Sequence, residues 1–143
     1  MKNLFIIDTY PVSPKQEEIL IECIEKLKFL KWDILLVSHL PIKTEIQEMV
    51  DYLIYDKDNT FLPSNITPFN WFEIGGNLKV EILNGGHTLP ICRNMFNSIK
   101  FAEDNYYDFF FFLEFDNLFS ESDLLKFNDK YSKYRNKLYC SIF

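Results

Sequence analysis

Apolar residues come in blocks along this chain, and the polar residues between the blocks have the character of caps and turns. Leu4 to Ile7 is a short apolar run stopped by Asp8-Thr9-Tyr10-Pro11, which predicts a buried strand followed by a turn. Ser13-Pro14-Lys15-Gln16 then supplies a capping serine, a proline at the first helical position and a glutamine three residues after the cap. The helix it opens carries Ile19, Leu20, Cys23, Ile24 and Leu27 on one face, the spacing of a helix packed on a sheet. Asp33 to Val37 reads as a second strand, ended by Ser38-His39-Leu40-Pro41. A short helix near 43–50 and a third strand over Tyr52–Tyr55 follow. Such strand–helix–strand alternation predicts parallel pairing with right-handed crossovers.

Residues 57–84 break this rhythm with Asn59, Pro63, Ser64, Asn65, Pro68, Asn70, Gly75 and Gly76, and hold Phe69, Trp71 and Phe72. They read as an irregular insert, functional or simply a surface loop with aromatics tucked beneath it, with a short strand at Lys79–Leu83. Gly85-Gly86-His87-Thr88 leads into a helix over about 90–104, on which Ile91, Met95, Ile99 and Ala102 recur at three- and four-residue steps. Phe109 to Leu113 is apolar on both faces, the signature of a central strand covered by helices on both sides. Ser120-Glu121-Ser122-Asp123 predicts a capped helix to roughly Arg135, and Leu138 to Phe143 reads as a strand, either docked at a sheet edge or marking where a longer domain was cut. The fold expected is α/β: a Rossmann-like, open, mostly parallel sheet with helices on both faces, one domain over 1–143.

Composition narrows the class. With 143 residues, 48% hydrophobic and 25% charged, the chain can bury one core. A net charge of −6 without any Lys/Arg block argues against nucleic acid as a partner. Cys23, Cys92 and Cys140 are too scattered for a disulfide framework or a zinc knuckle and fit a reducing compartment. Phe109–Leu113, the longest later apolar run, is far short of the roughly 20 residues of a membrane span, and the N-terminal run is too short for a signal peptide. A soluble cytoplasmic protein is expected.

Candidate chemistry gathers at the strand ends, where open α/β sheets bind ligands: Asp8-Thr9-Tyr10, Ser38-His39, Asp56, and Glu114 with Asp116. Strand alternation sets Glu114 and Asp116 on one side with Phe115 opposite. Two like charges together call for an offsetting cation, and magnesium takes one or two carboxylates with water and substrate phosphates. The same residues equally suit a solvated turn capped by Asn117. Gly85-Gly86 before a helix is a weak phosphate cue, and Arg93 one turn in would reach a diphosphate or lie in solvent. His39 and His87 lack metal-ligand spacing, and no Ser/His/Asp or Cys/His grouping stands out.

The strands LFIIDTYP, DILLVSH and DYLIYDKDN, followed by GGHTLPICRNMFNSIKFAEDNYYDFFFFLEFDN, resemble the N-terminal nucleotide-sugar-binding half of a GT-A fold glycosyltransferase of the family 2 type, over about residues 3–118. Glu114-Phe115-Asp116 resembles that fold's Asp-x-Asp motif, with Glu in place of the first Asp. The resemblance implies Thr9 and Tyr10 against the nucleobase, Ser38-His39 where an Asp often faces the base, and Asp56 at the base or ribose. Arg93 would also serve the nucleotide. Glu114 would lie near the ribose or the metal's water shell, and Asp116 would hold Mg²⁺ or Mn²⁺ bridging the diphosphate. The implied reaction transfers a sugar from a nucleotide-diphosphate sugar to a hydroxyl of a glycan or other acceptor. Its catalytic base usually lies beyond the acidic motif, where Glu121 and Asp123 read only as helix-start residues, so no base is identified. The alternative is a non-catalytic nucleotide- or metal-binding module of the same fold. An acidic phosphotransfer enzyme is disfavoured, because Glu114 stands where an Asp nucleophile would be expected. An open sheet edge would also favour homo-oligomers.

Overall fold

The computed structural model of the protein describes residues 2–59 and 88–131. Four strands, β1 (Asn3–Thr9), β2 (Asp33–Ser38), β3 (Tyr52–Tyr55) and β4 (Phe109–Glu114), form one sheet in the order β3-β2-β1-β4. Every pairing is parallel. The helices are α1 (Pro14–Leu27), α2 (Thr44–Gln47), α3 (Thr88–Asp104) and α4 (Glu121–Tyr131), with a 3-10 turn at Lys28–Leu30. The general α/β expectation is met. The expected strands at 79–83 and 138–143, Gly85-Gly86, His87 and the aromatics of the insert lie outside the described residues.

The helix starts follow their caps. Ser13 Oγ accepts from the Gln16 amide at 3.3 Å, while Gln16 Oε1 accepts from the Val12 amide at 2.7 Å, one residue upstream of the cap. At α4, Ser120 Oγ accepts from the Asp123 amide at 3.1 Å and Asp123 accepts from the Ser120 amide at 3.2 Å, a reciprocal box. Helix α2 is shorter than the segment 43–50 expected, because past Gln47 the bonds become turn-type, the Met49 amide donating to the Ile46 carbonyl at 3.1 Å and the Val50 amide to the Gln47 carbonyl at 3.3 Å. Beyond it, Asp51 accepts from the Ile34 amide at 2.8 Å and turns the chain into β3 beside β2.

Chain direction decides which face each helix covers. Going from β1 to β2 to β3, α1 and α2 bury Leu20, Cys23, Ile24, Leu27 and Ile46 against Phe5, Ile7, Ile34 and Leu36. From β3 the chain returns past β1 to β4, and α3 covers the other face, setting Ala102 against Leu4, Ile6, Leu35 and Val37. A constant crossover hand requires this change of face when the direction reverses. Helix α4 joins the α1 face through Leu124, and there Phe127 packs with Phe5, Trp32, Phe109 and Phe111.

Two expectations are corrected. Among the described residues β4 is the last strand on its side and Phe109 to Phe112 are half-buried, whereas β1, buried from Leu4 to Thr9, and β2 are flanked on both sides. Helix α3 buries the expected Ala102 but otherwise turns a different stripe to the sheet. Met95 and Ile99 are 38% and 41% exposed, whereas Asn94, Ser98 and Ala102, at four-residue steps, are buried. One residue of phase is about 100° of rotation. Small side chains on the inner stripe let the helix lie close, and Asn94 finds a partner there that Met95 could not supply.

Candidate functional site

The parallel register aligns all four carboxyl ends along one edge: Tyr55 beside Ser38, Ser38 beside Thr9, and Asp8 beside Glu114. The order reverses between β1 and β4, making the crevice outside their carboxyl ends the position where such sheets take ligands. On the α3 face, Asn94 Nδ2 donates to Asp8 Oδ1 at 2.6 Å and Asn59 Nδ2 donates to Asn94 Oδ1 at 2.9 Å. Asn59 thereby fixes the orientation of the Asn94 amide. Ser98 Oγ donates to the Asn94 carbonyl at 2.6 Å, holding the same helical turn.

Asp8 is completely buried, and among the described residues its Oδ2 has no hydrogen-bond partner. Burial pushes its carboxyl up to about 6; the Asn94 hydrogen bond opposes the rise and the charge of Glu114 adds to it. Its backbone carbonyl accepts from the Phe115 amide at 3.1 Å, so Asp8 joins the central strand both to α3 and to the turn leaving β4. Thr9 is equally buried, with its Oγ1 unpartnered among the described residues. Strand alternation turns Thr9 to the α1 face with Phe5 and Ile7, away from Asp8.

At the far side of the edge, Arg93 grips Asp56. Its Nε donates to Oδ2 at 2.6 Å and its Nη2 to Oδ1 at 3.1 Å, while Asn97 Nδ2 donates to Oδ2 at 3.1 Å. Two residues expected to contact a nucleotide therefore hold each other.

Strand β4 ends at Glu114, and Glu114–Asn117 forms a turn. The Asn117 amide donates to the Glu114 carbonyl at 3.0 Å and the Glu114 amide to Asn117 Oδ1 at 3.1 Å. Glu114 and Asp116 are exposed, while Phe115 packs into the core with Leu113. Tyr10 lies over this turn, its ring edge-on to Phe115 at 5.5 Å and tilted against the buried His39 at 6.1 Å. Burial raises its phenol, and the charges of Glu114, Asp116 and Asp8 raise it further. Beneath the turn, Cys23 Sγ donates to the Asn117 carbonyl at 3.6 Å. Burial first, then Asp116 and Glu22, push that thiol up to about 12, so Cys23 is an inert core residue.

Among the described residues no group of three or more His, Cys, Asp or Glu is placed to hold a metal. Glu114 and Asp116 put two exposed carboxylates on one turn. The two described cavities lie elsewhere. One, of about 440 Å³ between α1 and the start of α4, is lined by Glu22, Glu25, Lys26, Phe29, Phe119 and Glu121. The other, at the amino edge of the sheet, is lined by Trp32, Asp33, Ile34 and Asp51 among others. Neither concavity touches the strand-end carboxylates, and the chemistry of the edge outweighs the size of the hollows. No described helix is long and apolar enough to cross a membrane.

Comparison with protein-family models, curated proteins and solved structures gives no significant match. Asn59, Asn94 and Asn97 are the site residues to which the sequence reading assigned no role, while Asp8 was legible only as a polar strand end. The available signal was an Asn and a Ser four residues apart inside a helix, where both have poor propensity unless bonded.

Proposed function

We propose that the carboxyl edge of the sheet binds a nucleotide-diphosphate sugar with Mn²⁺ or Mg²⁺, as the donor-binding part of a glycosyltransferase acting on a hydroxyl acceptor. The supporting observation is the direction reversal between β1 and β4, with Asp8, Tyr10, Glu114 and Asp116 converging at that crevice. Glu114 and Asp116, exposed on the turn, would meet the metal; the metal's part is to offset the charge of the departing diphosphate. Tyr10 would stand beside them next to the nucleotide. Asp8 is sealed beneath and shapes the site rather than touching the ligand.

A nucleoside diphosphate with Mn²⁺ is expected to raise the melting temperature by several degrees at saturation, and Asp116→Ala to abolish the rise. Absence of a shift with every nucleoside diphosphate tested would overturn the reading. Binding without turnover is the second reading. It is favoured by Asp123, whose Oδ2 accepts from the Ser120 amide and hydroxyl at 3.2 and 2.7 Å as part of the helix cap. A melting shift without sugar transfer or hydrolysis would select it.

A further inference from the structure

The outer surface between α1 and α4 carries two features that folding does not require. Glu25 lies in the last turn of α1, where the helix dipole is negative and a further carboxylate is unfavourable. Among the described residues Glu25 has neither an ion pair nor a side-chain hydrogen bond, and the adjacent Lys26 reaches Glu22 instead, at 3.7 Å. Phe29 follows in the 3-10 turn, 39% exposed and outside both hydrophobic clusters of the core.

Facing them, Phe119 is half-buried against the core and Glu121 opens α4. Glu121 suits the start of its helix, yet among the described residues its carboxylate is also unpaired. These residues line one cavity of about 440 Å³. Its walls set Glu22, Glu25 and Glu121 against a single ammonium, that of Lys26, which is already committed to Glu22. Leu118 and Leu125, 43% and 55% exposed, continue the apolar surface along α4.

An occupant of this hollow has to be apolar along its length and cationic at its end. Arginine and lysine side chains have that form: the stem covers Phe29 and Phe119, and the head meets the ring faces together with Glu25 and Glu121. Nucleic acid and anionic lipid are repelled by the same carboxylates. A free polyamine would satisfy the charges but leave Leu118 and Leu125 uncovered, whereas a peptide brings apolar neighbours to them.

We propose that the groove between α1 and α4 docks a basic, partly apolar peptide segment of a partner protein, anchored by one arginine or lysine side chain. The strand-end carboxylates take no part, so this interaction stands independently of the nucleotide reading.

The test is an amide NMR titration of the isotope-labelled chain with a blocked heptapeptide in which two arginines flank a leucine, its glutamate counterpart, and spermidine. The arginine peptide is expected to shift amides within 21–30 and 117–126, and the glutamate peptide to shift none. Glu25→Gln with Glu121→Gln should weaken binding roughly tenfold, as two exposed ion pairs are lost. Phe29→Ala should weaken it about threefold, and Glu103→Gln, an exposed acid on the opposite face, should leave it unchanged. All four positions are exposed, and melting curves check that each variant is folded. Shifts spread evenly over the acidic surface, equal weakening by Glu103→Gln, unaltered affinity in the double variant, or no binding to wild type would each overturn the proposal. Spermidine binding as tightly as the arginine peptide would overturn the assignment to a protein partner.

Discussion

The two faces of the sheet are built from different chemistry. Under α1 and α4 the contacts are apolar along most of the strand length, from Phe5 stacked on Trp32 at 4.6 Å to Leu113 and Phe115 beneath the acidic turn, and turn polar only at the last residues, Thr9 and Ser38. Under α3 the contacts are apolar only at the amino half, around Leu4, Ile6 and Ala102, and become hydrogen-bonded toward the carboxyl edge through Asp8, Asn94 and Ser98. One face supplies burial, which is non-directional and tolerant. The other supplies bonds with fixed partners and directions, which hold Arg93 and Asn97 at set positions but, among the described residues, leave Asp8 with an unsatisfied oxygen.

The contrast can be broken first on the apolar face. Leu20→Ala, at a fully buried position of α1, is expected to cost about 2–5 kcal/mol, read by urea denaturation, because the cavity adds to the lost transfer energy. A change below 0.5 kcal/mol would mean that α1 is not packed as described.

The polar face should respond with the opposite sign. Because Asp8 is raised from 3.8 to about 6, the folded state binds its proton more tightly than the unfolded chain. Stability therefore falls as pH rises from 3.8 to about 6 and stays at the lower level above that window. The difference is about 3 kcal/mol at neutral pH, an upper figure for a single group. Asp8→Asn, which keeps the shape and can still accept from Asn94, should remove this slope and raise the melting temperature at pH 7. Superposable stability–pH curves for the two proteins would show that Asp8 is not held in its protonated form by burial.

The smallest effect sharpens the contrast. Phe96 is a large apolar residue on α3, yet 69% exposed, so Phe96→Ser should change stability by less than about 0.5 kcal/mol. A loss of 2 kcal/mol or more would restore the outward stripe of α3 to the core.

How much of this was legible in the sequence differs by element. Ser13-Pro14 and Ser120 marked their helix starts because capping is local: donor and acceptor lie within three residues. The inward residues Leu20, Cys23, Ile24 and Leu27 of α1 were legible because that helix has one apolar stripe. Helix α3 has two usable stripes that meet at the buried Ala102, and periodicity alone favoured the greasier one, which is exposed at Met95 and Ile99. Glu114 and Asp116 were visible as charge following an apolar run, while the Glu114–Asn117 turn that carries them depends on Asn117 Oδ1 and on the Asp8 carbonyl across the strand pair.

By itself, then, the sequence determined the elements, their alternation and the gathering of polar groups at strand ends, since each is written in contacts a few residues long. Strand order, the roll of α3 and the pairing of Asp56 with Arg93 were decided only in three dimensions. Periodicity records how deeply a residue is buried along its own element. It carries no record of which element lies across from it, and Asp8 meets Asn94 only because the chain has already reversed direction past β1.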